Sequence, residues 1–216
     1  MKSLQKRNIL ITLFLTACFC GNLPGYAAEP EKKVPQWFQH AFSVIEKQAQ
    51  KMSAKVEKSS CLPRSIQRGM VSPTDWTSGF FPGTLWYVYE YTGKEEWKER
   101  AERATALLEP EQFNAFDHDV GFKMYCSYGW RLTKNPAYAR IICRSAKTLG
   151  SRYSYKTGLI MSWEEDDARD WQFPVIIDNM MNLELLIEAY KLSGDTTLRH
   201  IALSHADKTM KCQYRK

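Results

Sequence analysis

Residues 79–108 read GFFPGTLWYVYEYTGKEEWKERAERATALL. An aromatic and aliphatic run is broken by Thr92-Gly93-Lys94, and a charged stretch follows. Pro82 falls in the first turn of the run, where a helix tolerates a missing N–H. The pattern predicts a helix over 79–91, a turn at Gly93, and a second helix over 95–108. Lys98, Arg100, Glu102 and Arg103 would form the outer face of the second helix. The scheme returns 42 residues later. Gly121-Phe122 opens a helix over 120–132, Thr133-Lys134-Asn135-Pro136 turns the chain, and 137–149 is the outer helix. It returns again as a helix over 179–192, the turn Ser193-Gly194-Asp195, and a helix over 196–210. Three helix–turn–helix units predict an all-α array of hairpins. The first helix of each is apolar nearly all round and should be buried on both sides; the second should keep one wet face.

Working outward, Trp37, Phe38, Ala41, Phe42, Ile45 and Met52 recur at three- and four-residue steps, which predicts a long helix over 34–59. Residues 60–73 read as a loop punctuated by Pro63, Gly69 and Pro73. Residues 151–175 suggest a short strand hairpin around Lys156-Thr157-Gly158. Residues 164–170 hold five acids in seven positions; this reads as a solvated loop, since it lacks an EF-hand calcium pattern. Such hairpins close either as an open solenoid or as an α/α toroid. In a toroid the first helices run parallel and their N-terminal ends share one mouth. Asp75, Asp119 and Asp178 each stand just before one of these helices. A lone Asp there is ordinarily an N-cap. Three carboxylates at one mouth would be acid–base chemistry.

The 216 residues, 44% apolar and 25% charged, suit one ordinary domain, and the 13% aromatic content suits a sugar site. Met1 to Ala27 reads as a signal peptide: Lys2, Lys6 and Arg7 precede an apolar run from Ile9 to Cys20 that is too short to span a bilayer. Gly25-Tyr26-Ala27 fits a cleavage site, while Leu15-Thr16-Ala17-Cys18 fits a lipobox ending at Cys18. An exported chain is expected, periplasmic or lipid-anchored, with residues 28–216 as its folded domain. Loss of the leader takes the formal charge from +6 to +3, too mild to argue for nucleic acid. Cys61, Cys126, Cys143 and Cys212 show no CxxC spacing, so zinc is not indicated, and buried free thiols are expected for Cys126 and Cys143.

Three motifs carry a family resemblance: Asp75-Trp76-Thr77-Ser78-Gly79-Phe80-Phe81-Pro82-Gly83, His118-Asp119-Val120-Gly121-Phe122, and the run from Pro174 through Asp178-Asn179-Met180-Met181-Asn182 to Glu184. In this order they resemble the unsaturated glucuronyl hydrolases, glycoside hydrolase family 88, from about Trp37 to about Lys211. The resemblance implies an (α/α)6 barrel of six hairpins, no metal or organic cofactor, and an oligosaccharide substrate ending in a 4,5-unsaturated uronic acid. It implies Asp178 as general acid/base, Asp119 as the second carboxylate, His118 as a substrate contact, and Trp76, Phe80 and Trp163 as the aromatic lining. Without the resemblance, Trp76 and Phe80 read equally as core, Trp163 as loop packing, and His118 as a structural histidine. The family is longer than this chain. About seven of twelve helices are expected here, an incomplete toroid corresponding to the N-terminal part of the barrel, and a truncated member of weak activity. A non-catalytic remnant, or a sibling acting on unsaturated rhamnogalacturonan fragments, are the competing readings.

Overall fold

Two-residue turns fold the chain into hairpins, and the residues at those turns explain why. In the computed structural model, which describes residues 34–214, α2 (Phe80–Thr92) meets α3 (Glu95–Ala106) across Gly93, and α6 (Asn179–Ser193) meets α7 (Thr196–Cys212) across Gly194. Both glycines are left-handed, with φ of 65° and 73°, and each N–H closes the preceding helix on Tyr89 or Tyr190. The middle hairpin has no glycine there. Lys134 takes φ 51° instead, Asn135 caps α5 (Pro136–Gly150) by accepting from the Ala137 amide, and Pro136 opens that helix. The expected leader, residues 1–27 with Cys18, lies outside the described residues.

The helix predicted over 120–132 departs from expectation. Residues 121–125 wind as a π-helix, Gly121–Tyr125, which continues through Cys126 and Ser127 and then stops. A separate short helix, α4 (Trp130–Thr133), resumes after Tyr128-Gly129. The cause is Trp86. Its indole Nε1 donates to the Ser127 carbonyl at 2.7 Å, and the Thr105 hydroxyl donates to the same oxygen at 2.8 Å. That carbonyl is thus bonded to other helices. Gly129 lies against the Trp86 ring, where a β-carbon would stand 2.6 Å from two ring atoms.

Helix α1 (Gln36–Ser59) precedes the hairpins. The loop expected after it contains two short antiparallel strands, β1 (Leu62–Ser65) and β2 (Gly69–Val71). The hairpin expected around Gly158 forms as β3 (Tyr153–Ser154) and β4 (Leu159–Ile160). Helix α2 packs on α3, α5 packs on α6, and α6 packs on both α7 and the π segment. Leu85, Trp86 and Val88 of α2, Ile142, Ala146 and Leu149 of α5, and Leu185, Leu186 and Ala189 of α6 share one core.

Two corrections concern burial. Helix α2 is not covered all round: Phe80, Thr84, Tyr87 and Tyr91, at steps of four and three, form an exposed stripe. On α6, Met181 and Glu184 are likewise exposed. Cys126 is exposed rather than buried, Cys143 is half-buried, and Cys61, Cys126, Cys143 and Cys212 are all free thiols.

Glycines set the spacing between first helices. A β-carbon on Gly79 would stand 2.5 Å from the Lys123 carbonyl oxygen and closer still to that of Phe122. One on Gly83 would stand 2.6 Å from the Cys126 oxygen, and one on Gly121 2.8 Å from the Asn182 Cα. Each Gly-Phe start in the sequence is therefore a place where the next first helix comes into backbone contact.

Candidate active site

Three irregular segments converge where the first helices begin, and one serine ties them together. Ser162 is fully buried. Its carbonyl accepts from the His118 amide at 2.9 Å, its own amide donates to the Pro174 carbonyl at 2.8 Å, and its hydroxyl accepts from the Ile176 amide at 3.1 Å. The loop carrying His118 and Asp119 is thereby laced to the extended approach that carries Asp178. Arg152 secures the same seam by donating to the carbonyls of Met161 and Ala115 and to the Glu164 carboxylate.

His118, Asp119 and Asp178 then meet. His118 Nε2 lies 3.4 Å from Asp119 Oδ1 and 3.9 Å from Asp178 Oδ1. Exposure grades outward: the His118 side chain is 2% exposed, Asp119 17% and Asp178 41%. Asp178 occupies the N-cap position of α6, yet its side chain makes no capping bond. Its Oδ1 accepts no hydrogen bond from the described residues. Asp195 spends its carboxylate on the Thr197 amide at the start of α7, as an ordinary cap does. The Asp178 carboxylate is thus free for chemistry.

The electrostatics separate the members of the trio. Burial, then the carboxylates of Asp117 and Asp178, push Asp119 up to about 7, against the opposing charge of Lys123. Burial lowers the pKa of His118, although Asp178 and Asp117 pull the other way. A neutral imidazole therefore faces an Asp119 carboxyl able to hold a proton near neutral pH, with the Asp178 carboxylate beside it. One donor atom from each of the three lies within 4.8 Å of the others, a spacing that would also admit a cation. Nε2 is already turned to both acids, so the arrangement serves proton sharing by itself.

Asp75, the third acid of the sequence pattern, does not join the trio. It accepts from the Thr77 amide and hydroxyl at 2.9 and 2.7 Å and pairs with Arg64. Burial raises its carboxyl, but the hydrogen bonds from Thr77 and Arg64 prevail and hold it below the usual carboxylate range. It caps no helix, since Gly79 holds the N-cap position of α2; its carboxylate instead closes a turn on Thr77.

The aromatics form two groups. Trp76 and Phe80, both exposed, close a triangle with buried Phe122, with ring centroids 5.8–5.9 Å apart. Arg64 lies over the Trp76 ring at 5.5 Å. Trp163 stands edge-on to His118 at 6.3 Å and stacks obliquely on Trp171 at 5.6 Å.

Several residues of the site do not stand out in the sequence. Phe122 belongs to a motif there, and its place three residues after Asp119 is the signal that points to it. Asn179 is fully buried, donates to the Ile160 carbonyl at 3.0 Å, and its side chain favours the protonated form of His118. His205 is fully buried and accepts from the Ile160 amide at 2.9 Å, which makes it a strut behind the site. Lys123 was legible as a charge between Phe122 and Met124 on an otherwise apolar stretch. Ser162 carried no sequence signal.

No protein-family model matches the chain. Among curated proteins, it is 44% identical to an unsaturated glucuronyl hydrolase of Formosa agariphila over 98% of this chain and 54% of that protein. It is 34% identical to the unsaturated glucuronyl hydrolase of Bacillus sp. strain GL1 over 63% of this chain and 37% of that one. Among solved structures, an unsaturated glucuronyl hydrolase specific for heparin superposes with a TM-score of 0.72 at 38% identity, covering 82% of this chain and 50% of that one. The chain spans about half the length of the Formosa agariphila relative. Its hairpins are part of the (α/α)6 barrel that these hydrolases share. Over the span it covers, the chain belongs to the unsaturated glucuronyl hydrolase family.

Proposed function

We propose that this chain carries the acid–base centre of a glycoside hydrolase that removes a terminal 4,5-unsaturated glucuronic acid from oligosaccharides by hydrating its vinyl ether. The observation that carries this reading is the unspent N-cap carboxylate of Asp178, set beside Asp119 and His118. The Asp119 carboxyl, pushed up to about 7, holds a proton beside Asp178 near neutral pH, and a proton available there is what a general acid needs. Asp178 is the exposed member, so it is the one a sugar can reach. A substrate covering it removes water and draws the proton towards it.

The chemistry follows in order. Asp178 donates its proton to C4, and the C4=C5 electron pair forms the new C–H bond. The cation left at C5 is shared with the ring oxygen. An ionised Asp119 behind it stabilises that charge. The Asp178 carboxylate then takes a proton from water as its oxygen adds to C5. The resulting hemiketal opens by breaking the bond from C5 to the ring oxygen, leaving a ketone at C5. C1, now a hemiacetal carbon, releases the partner sugar as a free hydroxyl. Trp76, Phe80 and Trp163 supply flat surfaces for the sugar rings. The separation rule for retaining and inverting pairs does not apply, because the bond attacked first is not glycosidic.

The test is loss of the ultraviolet absorbance of an unsaturated disaccharide incubated with the 216-residue chain. Turnover abolished by Asp178→Asn supports the reading. Turnover undiminished by both Asp178→Asn and Asp119→Asn sinks it, and so does failure of the disaccharide to change the fluorescence of the site tryptophans. Export, expected from residues 1–27, would bring the chain to lyase products outside the cytoplasm. The mass of the mature chain separates cleavage after Ala27 from lipidation at Cys18.

A further inference from the structure

Lys123 has no exposed surface, and the chemistry above does not use it. Its ammonium lies 3.1 Å from Glu111 Oε2 and 3.5 Å from Asp117 Oδ1. Glu111 is itself buried and accepts from the Asn114 side chain at 2.7 Å. Asp117 Oδ1 accepts the Asp119 amide at 2.9 Å, and the Lys123 amide donates to the Asp119 carbonyl at 3.0 Å. Asp119 is thus held at its N–H by a carboxylate that Lys123 grips, and at its carbonyl by Lys123 itself. Burying an ammonium costs several kcal/mol of desolvation, and an apolar residue of similar volume commonly packs as well or better. Packing alone therefore does not account for a lysine here.

We propose that Lys123 is a positioning residue: from beneath the site its ammonium gathers Glu111 and Asp117, and through Asp117 it fixes Asp119 against His118 and Asp178. The charged and titratable groups facing Asp119 are His118 and Asp117 on its own loop, Lys123 on the π segment, Asp178 before α6, and Asp75 before α2. Lys123 is the cation that opposes the acids in this set. It sets how readily Asp119 ionises as well as where it stands. The consequence for turnover rests on the hydrolase reading; the position and charge of Asp119 do not.

The experiment is a carbon-13 NMR titration of the full chain labelled at its Asp carboxyls, with Asp119 assigned by the signal lost in Asp119→Asn. Lys123→Met removes the cation and raises the Asp119 midpoint by about 1 unit, the low end of what a nearby opposite charge is worth. Glu111→Gln leaves the cation with one carboxylate fewer and moves the midpoint down. This second variant keeps the proposal testable if Lys123→Met does not fold. The double variant, neutral at both positions, returns the midpoint towards that of the unmodified chain. An Asp119 midpoint unmoved in a folded Lys123→Met, or unmoved in Glu111→Gln where Lys123→Met does not fold, with only the melting temperature lowered, makes Lys123 a mere structural brace and overturns the proposal. The titration reads Asp119 whether or not the chain turns over substrate, so its failure is separate from failure of the absorbance assay.

Discussion

Gly79→Ala is the sharpest test of how the first helices are spaced. The φ of Gly79 is −74°, so alanine meets no backbone strain. On intrinsic helix preference alone the change would be neutral or stabilising. The structure argues the reverse. The new methyl would sit 2.5 Å from the Lys123 carbonyl oxygen, nearer to that of Phe122, and 2.9 Å from the Lys123 carbonyl carbon. All three are backbone atoms, so no side chain can swing away. Restoring ordinary contact requires α2 to withdraw from the π segment by about 1 Å. The same movement stretches the Trp76–Phe122 and Phe80–Phe122 contacts from 5.8–5.9 Å to the ~7 Å limit of ring–ring attraction. Overpacking costs about 1–3 kcal/mol, and each weakened ring pair about 0.5–1.5 kcal/mol. A total near 3 kcal/mol corresponds to a fall in melting temperature of about 6–12 °C for a domain of this size. Thermal unfolding followed by circular dichroism measures it. Gly93→Ala is the control: nothing lies within 4 Å, but φ is 65°, so only the left-handed penalty of about 1 kcal/mol applies. A Gly79→Ala chain as stable as the parent, or one no worse than Gly93→Ala, would refute close helix approach as the reason for the Gly-Phe starts.

The remaining predictions concern the site. In Asp119 the folded state raises an acid's pKa from 3.8 to about 7, so the folded chain holds the proton more tightly than the unfolded one. Its contribution to stability is therefore favourable in acid and is lost as pH rises from about 4 through 7; Asp119→Asn should raise the melting temperature at pH 8 relative to the parent, with the gain shrinking towards pH 4.5. His205 behaves in the opposite sense. Burial first, and His118 second, hold its pKa at about 4, so stability present above pH 6.5 is lost as pH falls towards 4. His205→Asn, which keeps an acceptor for the Ile160 amide, should flatten that loss in melts recorded across the window. Ser162→Ala deletes the acceptor for the Ile176 amide, with an expected cost of about 1–3 kcal/mol measured by urea unfolding. It should also weaken turnover more than binding, because it loosens the approach of Asp178 to Asp119; equal kcat with a raised KM would contradict that.

Some elements were readable one residue at a time. The turns at Gly93 and Gly194 rest on a conformation that glycine adopts at no steric cost, and Asn135-Pro136 announces a helix start by itself. Helix α1, the two outer-helix starts at Glu95 and Thr196, and the strand hairpin at Gly158 were legible for the same reason. The break after Ser127 was not, because it depends on Trp86 arriving from 41 residues away to claim a carbonyl. The roles of the three acids divided in the same manner. Each stands before a first helix, and local spacing could not tell Asp75 from Asp178.

The sequence by itself determined the hairpins, their turns and the identity of the acids, since helix periodicity, glycine at positive φ and N-terminal caps act within a few residues. It also held the three motifs that mark the family. Tertiary structure decided the rest. Arg64 and Thr77 consume Asp75, while the Ser162 seam brings Asp178 uncapped to Asp119 and His118. Burial together with carboxylates from separate segments raises Asp119, and Lys123 meets Glu111 and Asp117 only once the π segment is in place. Desolvation and Coulomb interactions depend on distance in space, and folding alone fixes those distances.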